Sequence, residues 1–246
     1  MMRSLRLLRV VALLLATGFS ASASAQAEED AVSLCLGTDI ESRITGCTTI
    51  IKDHAVSAKN RSVAFYNRAS TYRRIPDYER ALADFADSIR LNPRYALAFD
   101  GRANTYAQMQ DYDRALADHD EAVRLDPQFS AAYYNRGNTY IAKKDYRNAL
   151  TDYDIAIRLN PKDGYAFGNR GEVKLIMGDF ESAWADFDAA AHMHSANANN
   201  LYGRGVAAIK LGRRAAGRAD IAAALSMDPE IADTYAKDGI PNPLVK

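Results

Sequence analysis

Apolar residues recur along the chain with a helical stagger rather than the alternation of a strand. Ala81, Leu82, Phe85 and Ile89 fall on one face of a helix. Asp77 stands just before that stretch, where a carboxylate suits the free N–H groups of a first turn. Pro93 closes it, because proline lacks the N–H that a continuing helix needs. Asp111, Asp145 and Asp179 mark later starts in the same way, and Pro127, Pro161 and Pro229 later ends, with Ser195 standing where one more proline is due. The pattern predicts a train of helices.

The period of that train is 34 residues. Five gapless units begin at Ser62, Ala96, Ser130, Gly164 and Ala198. Large apolar residues come early in each, at Phe65, Phe99, Tyr133, Phe167 and Leu201. Small residues follow at Ala69, Ala103, Gly137, Gly171 and Gly205, and again at Ala81, Ala115, Ala149, Ala183 and Gly217. Tyr72, Tyr106 and Tyr140 form a further series, which Lys174 and Ala208 break. One helical hairpin cannot bury its own apolar face, whereas stacked hairpins share a continuous core.

These residues resemble the tetratricopeptide repeat across 62–231, with Tyr133–Pro161 close to the family pattern. More narrowly, the chain is similar to exported bacterial members that carry one cysteine-containing N-terminal segment. The resemblance implies an all-α, right-handed superhelical solenoid of stacked helix-turn-helix repeats at 62–95, 96–129, 130–163, 164–197 and 198–231. Residues 232–246 then form a short cap and tail.

A second periodicity lies in the charges. Arg68, Arg102, Arg136, Arg170 and Arg204 recur in phase, and Asp84, Asp118, Asp152, Asp186 and Asp220 follow each of them by sixteen residues. In an antiparallel helix pair those positions approach, and a guanidinium engages a carboxylate with two hydrogen bonds. Structural ion pairs are expected, with a ladder of anion-binding arginines as the functional alternative. Carrying the phase backwards places Cys35 and Cys47 at the two small-residue positions of one more hairpin, over 26–61. A Cys35–Cys47 disulfide on an N-terminal cap is expected, against a redox-active or metal-binding pair as the rival.

Composition adds a compartment. The 246 residues are 48% hydrophobic and 25% charged, with Lys+Arg and Asp+Glu both 31, which argues against disorder and against a basic nucleic-acid binder. Residues 1–25 read as a cleaved secretory leader: Arg3, Arg6 and Arg9, the apolar run Val10 to Phe19, then small residues ending in Ala23-Ser24-Ala25. Removing it takes three arginines and no acid, so the mature chain turns net acidic. The apolar run is too short for a membrane span, and no cysteine directly follows the cleavage site, where Gln26 stands. An exported protein is expected, periplasmic or else secreted.

Catalytic chemistry is not expected. His119 takes the place of a packing aromatic in the second repeat, and His192 and His194 diverge on a helix. No nucleophile elbow, phosphate loop, zinc-protease motif or dinucleotide fingerprint occurs, so neither cofactor nor metal is called for. Lys210, Arg213, Arg214 and Arg218 form a basic cluster, read as a solvated helix face or a lure for an anionic partner.

The family resemblance assigns binding to the first helix of each repeat, which lines a concave groove. The candidates are Tyr66, Asn67, Ser70, Arg73 and Arg74, then Asp100 and Asn104, then Tyr134, Asn135 and Asn138, and finally Tyr165, Asn169, Glu172, Asn199 and Tyr202. Amides both donate and accept, and tyrosines add rigid contact area with a polar tip, a lining suited to a polypeptide segment. Asn67, Asn135 and Asn169 echo the amides with which some relatives grip a C-terminal carboxylate, but the paired lysines of that grip are missing. A protein or peptide partner is expected, with self-association through the terminal repeats as the alternative.

Overall fold

The computed structural model describes residues 23–193, 197–237, 239–240 and 242–243. Among them it shows thirteen helices and no strand. In order these are α1 (Ala23–Leu36), α2 (Ile40–Lys52), α3 (Ala58–Arg74), α4 (Tyr78–Leu91), α5 (Ala96–Gln108), α6 (Tyr112–Leu125), α7 (Ser130–Ala142), α8 (Tyr146–Leu159), α9 (Gly164–Ile176), α10 (Phe180–Met193), α11 (Ala198–Lys210), α12 (Arg214–Met227) and α13 (Ile231–Lys237). Residues 1–22, most of the expected leader, lie outside the described residues, as do His194 and Ser195. Packing between elements stays within a hairpin or passes to the adjacent one, so the fold is an all-α solenoid.

Local chemistry sets the hairpins. Asp77, Asp111 and Asp145 cap α4, α6 and α8 by accepting from the backbone N–H groups of Arg80, Arg114 and Asn148, and Asp179 accepts from that of Ser182. The last full hairpin departs from this rule: Arg213 occupies the cap of α12 and makes no such bond. Small residues let the paired helices meet, and Ala69, Ala81, Ala103, Ala115 and Ala149 are fully buried. Between α11 and α12 glycines stand at both small-residue positions. A Cβ on Gly217 would stand 2.6 Å from the carbonyl oxygen of Gly205, leaving no room for a side chain. Cys35 and Cys47 occupy the same crossing in the first hairpin and form a disulfide, with their Cα atoms 4.6 Å apart.

The arginine and aspartate series meet inside every repeat. Arg68–Asp84, Arg102–Asp118, Arg136–Asp152, Arg170–Asp186 and Arg204–Asp220 each share two hydrogen bonds from Nε and Nη2. The third guanidinium nitrogen reaches back one repeat in three cases, Arg136 to Asp120, Arg170 to Asp154 and Arg204 to Asp188. Arg68 instead donates to Thr48 of α2. Each of these four arginines therefore ties its own hairpin to the one before. Lys174, which interrupts the tyrosine series, adds a bond of 2.8 Å to Asp186.

From α5 to α12 the turn within each hairpin holds one residue in the left-handed region. Gly178 and Gly212 sit there at φ +82° and +79°, while Gln110 and Lys144 take the equivalent places at +62° and +59°. A side chain there is strained where glycine is not, although glycine also loosens the unfolded chain. Gln110→Gly combined with Lys144→Gly is expected to stabilise the protein by about 1 kcal/mol. Urea unfolding followed by helical circular dichroism checks this, and an unchanged or lower midpoint contradicts it.

Candidate partner-binding groove

The first helices α3, α5, α7, α9 and α11 lie side by side, and their outward faces form one wall. What supports the wall comes from behind. Phe85, His119, Tyr153 and Phe187, on successive second helices, are all fully buried. Sixteen residues on, the next first helix carries in turn Gly101, Asn135, Asn169 and Gly203. Where the supporting ring is phenylalanine the facing residue has no side chain, and a Cβ on Gly101 or Gly203 would come within 2.5 Å or 2.3 Å of the ring. Where the support is polar, the facing residue is an asparagine that bonds sideways. The row of buried supports is thus apolar at its ends and polar in the middle.

Two amide clusters stand over the middle of that row. Asn169 Nδ2 donates to Asn138 Oδ1 at 2.9 Å and to the Tyr134 hydroxyl at 3.2 Å. The Tyr153 hydroxyl donates to Asn138 Oδ1 at 2.6 Å, and burial pushes its ionisation well above the usual phenol range. One repeat earlier, Asn104 Nδ2 donates to Asp100 Oδ2 at 3.1 Å, and Asn135 Nδ2 lies 3.1 Å from both carboxylate oxygens. His119 sits directly behind Asp100.

The remaining candidates divide by exposure. Tyr66 is half-buried, its ring edge against Tyr95 at 5.4 Å between centroids and tilted on Phe85 at 6.0 Å. Burial again raises its phenol ionisation, opposed by a hydrogen bond with Ser70. Asn67, Ser70, Arg73, Glu172 and Asn199 are half-buried, and Arg74 is exposed. Tyr165 projects furthest, 61% exposed. Tyr202 is the exception. It is fully buried, packed at 4.8 Å on Tyr235 of α13, and its hydroxyl has no hydrogen-bond partner. Helix α13 continues the repeat beyond the last full hairpin, so Tyr202 fills a seam instead of lining a surface.

Family matches fall on this same region. The tetratricopeptide repeat matches residues 63–95 and 130–163, and the TPR repeat matches 103–144. The chain is a tetratricopeptide-repeat protein. Three solved TPR-like folds illustrate the likeness. The chain is similar to pilF of Pseudomonas aeruginosa at 17% identity, covering 86% of this chain and 98% of that one, with a TM-score of 0.75. It is similar to YrrB, described as a TPR protein with an unusual peptide-binding site, at 21% identity, 80% and 98% coverage and a TM-score of 0.62. It is also similar to TTC0263, a thermophilic TPR protein of Thermus thermophilus, at 20% identity, 72% and 98% coverage and a TM-score of 0.55. No curated protein sequence matches.

Within the TPR stack the charged ladder lies between paired helices, with its arginine side chains 16–22% exposed. Of the basic cluster, Arg213 bonds Glu181 at 2.8 Å and lies over the Trp184 ring at 4.8 Å. No three His, Cys, Asp or Glu side chains gather as a metal site among the described residues, and no helix there is long and apolar enough to cross a membrane. TPR folds are typically scaffolds for protein interaction. The sequence assigns Asn135, Asn138 and Asn169 to the groove face but does not reveal the bonds of Asn135 to Asp100 or of Asn138 to Asn169 and Tyr153. The signal is present in the paired exchange of Phe for His or Tyr at 119 and 153 and of Gly for Asn at 135 and 169.

Proposed function

We propose that the protein is an exported, non-enzymatic binding module of the bacterial cell envelope that holds an extended or helical segment of a partner protein in its concave groove. The observation that carries this reading is the amide-rich middle of the groove. Asn104, Asn135, Asn138 and Asn169 are anchored by one another and by buried supports, so a bound segment meets a preorganised row of donors and acceptors. Tyr134 and the exposed Tyr165 add rigid apolar area on the same wall. A likeness to a fold with a peptide-binding site is consistent with this role. The leader-like residues 1–25 and the Cys35–Cys47 disulfide support export to an oxidising compartment.

Selection of twelve-residue peptides from a random display library, followed by hydrogen exchange of the full chain with a selected peptide, tests the groove. Protection is expected on α3, α5, α7 and α9. Protection confined to the second helices, or to α1 and α13, overturns the assignment and favours assembly through the ends.

A further inference from the structure

Buried carboxylates in this solenoid follow one rule with one departure. Among the described residues five aspartates are buried: Asp84, Asp100, Asp118, Asp152 and Asp186. Four of them hold a guanidinium through two hydrogen bonds. Asp100 is buried to the same degree, 7% exposed, yet its side chain accepts from the uncharged amides of Asn104 and Asn135. Withdrawing a carboxylate from water is costly unless a counter-charge accompanies it.

The imidazole behind it does not supply an aligned bond. His119 Nδ1 comes within 3.1 Å of Asp100 Oδ1, but neither ring nitrogen makes a hydrogen bond, and the residue is wholly buried. An ionised carboxylate offers about four acceptor sites, more than two amides occupy. Asp100 also sits at the groove position that Tyr66 and Tyr134 hold in the flanking repeats, and its charge is felt at the Tyr66 phenol. A carboxylate beside an aromatic ring is a setting that suits a cation.

We propose that Asp100, with Asn104 and Asn135 beside it, is a subsite for a basic side chain of the bound segment, an arginine or a lysine. This rests on the groove reading above and adds the chemistry that the segment must carry. The incoming cation supplies the permanent positive charge that the other four buried aspartates find in an arginine of their own repeat. Its donors take the remaining acceptor sites, and Tyr66 flanks its stem.

Acetyl-arginine amide and its uncharged isostere acetyl-citrulline amide serve as probes, read by nuclear magnetic resonance of the full chain. The arginine probe is expected to shift the Asn104 and Asn135 side-chain signals saturably, with at least about tenfold tighter apparent binding than citrulline. Asp100→Asn, which keeps the shape and removes the charge, is expected to abolish the difference. Equal responses to the two probes, or no saturable shift of these signals, overturn the proposal with the wild-type chain alone. A charge preference that persists in a folded Asp100→Asn protein overturns it as well. If the subsite fails while selected peptides still protect the first helices, the groove reading stands; if no peptide protects them, the groove reading fails first.

Discussion

Replacing Arg136 by Met is expected to destabilise the protein by about 3 kcal/mol, as breaking one half of a buried ion pair does. Asp152, only 2% exposed, receives bonds of 2.7 Å and 2.6 Å from this guanidinium. Burial already pushes its carboxyl above the usual carboxylate range, and the Arg136 hydrogen bonds oppose that push. Methionine fills part of the stem volume and supplies no donor, so the carboxylate is left charged without a partner or must take up a proton. The same substitution releases Asp120 of the preceding repeat, which removes a tie between hairpins. Arg136→Met together with Asp152→Leu recovers much of the loss, because removing both partners leaves no orphaned charge. Urea unfolding of the two variants checks the pair of values. Since all three guanidinium nitrogens of Arg136 are taken up by Asp152 and Asp120, the folded fraction of Arg136→Met is expected to retain partner binding, and a normal midpoint with lost binding would reverse the structural assignment.

Reduction of the Cys35–Cys47 disulfide, or its replacement by two serines, is expected to cost the N-terminal hairpin about 3 kcal/mol, the chain-entropy value for so short a loop. The consequence is local. Each hairpin of a solenoid touches only its neighbours, so loss of a terminal staple frays that end before it affects the middle. The core of this hairpin is small, with Ala31, Ile50, Val56 and Ala64 as the other buried apolar members. Hydrogen exchange is expected to show faster exchange in α1 and α2 and unchanged protection in α7 and α8. Intact mass measured without reductant on protein from an oxidising host gives the complementary check. Two free thiols, or unchanged protection of α1 and α2 after reduction, contradict the account.

The features legible in the sequence are those that recur at a fixed offset. The Arg136–Asp152 pair and its four counterparts are readable because hairpin geometry brings the same two positions together in every repeat. The cysteines are readable because they fall where Ala69 and Ala81 fall, at the closest approach of two helices. What a groove side chain bonds to is a different question, since repeat position fixes the face and not the partner. Asn138 belongs to the groove face by position, yet it accepts from the buried Tyr153 hydroxyl and from Asn169. Replacing Asn135 and Asn138 with alanine would therefore perturb the wall as well as any contact with a ligand. Tyr202 drops out of the lining for another reason. Residues 232–246 read as a short cap and tail, whereas Tyr235 falls five periods beyond Phe65 and brings α13 in as a further first helix over Tyr202.

The central claim is that the concave wall, rather than the outer face or the ends, receives the partner. A photoreactive residue placed at Asn67, Tyr134 or Tyr165 in the groove, and for comparison at the exposed outer positions Arg90 and Thr151, tests it most directly in cells that express the full chain. Groove positions are expected to yield discrete polypeptide adducts that the outer positions do not. Equal labelling from both faces, or adducts consisting solely of the protein linked to itself through its ends, would contradict the account.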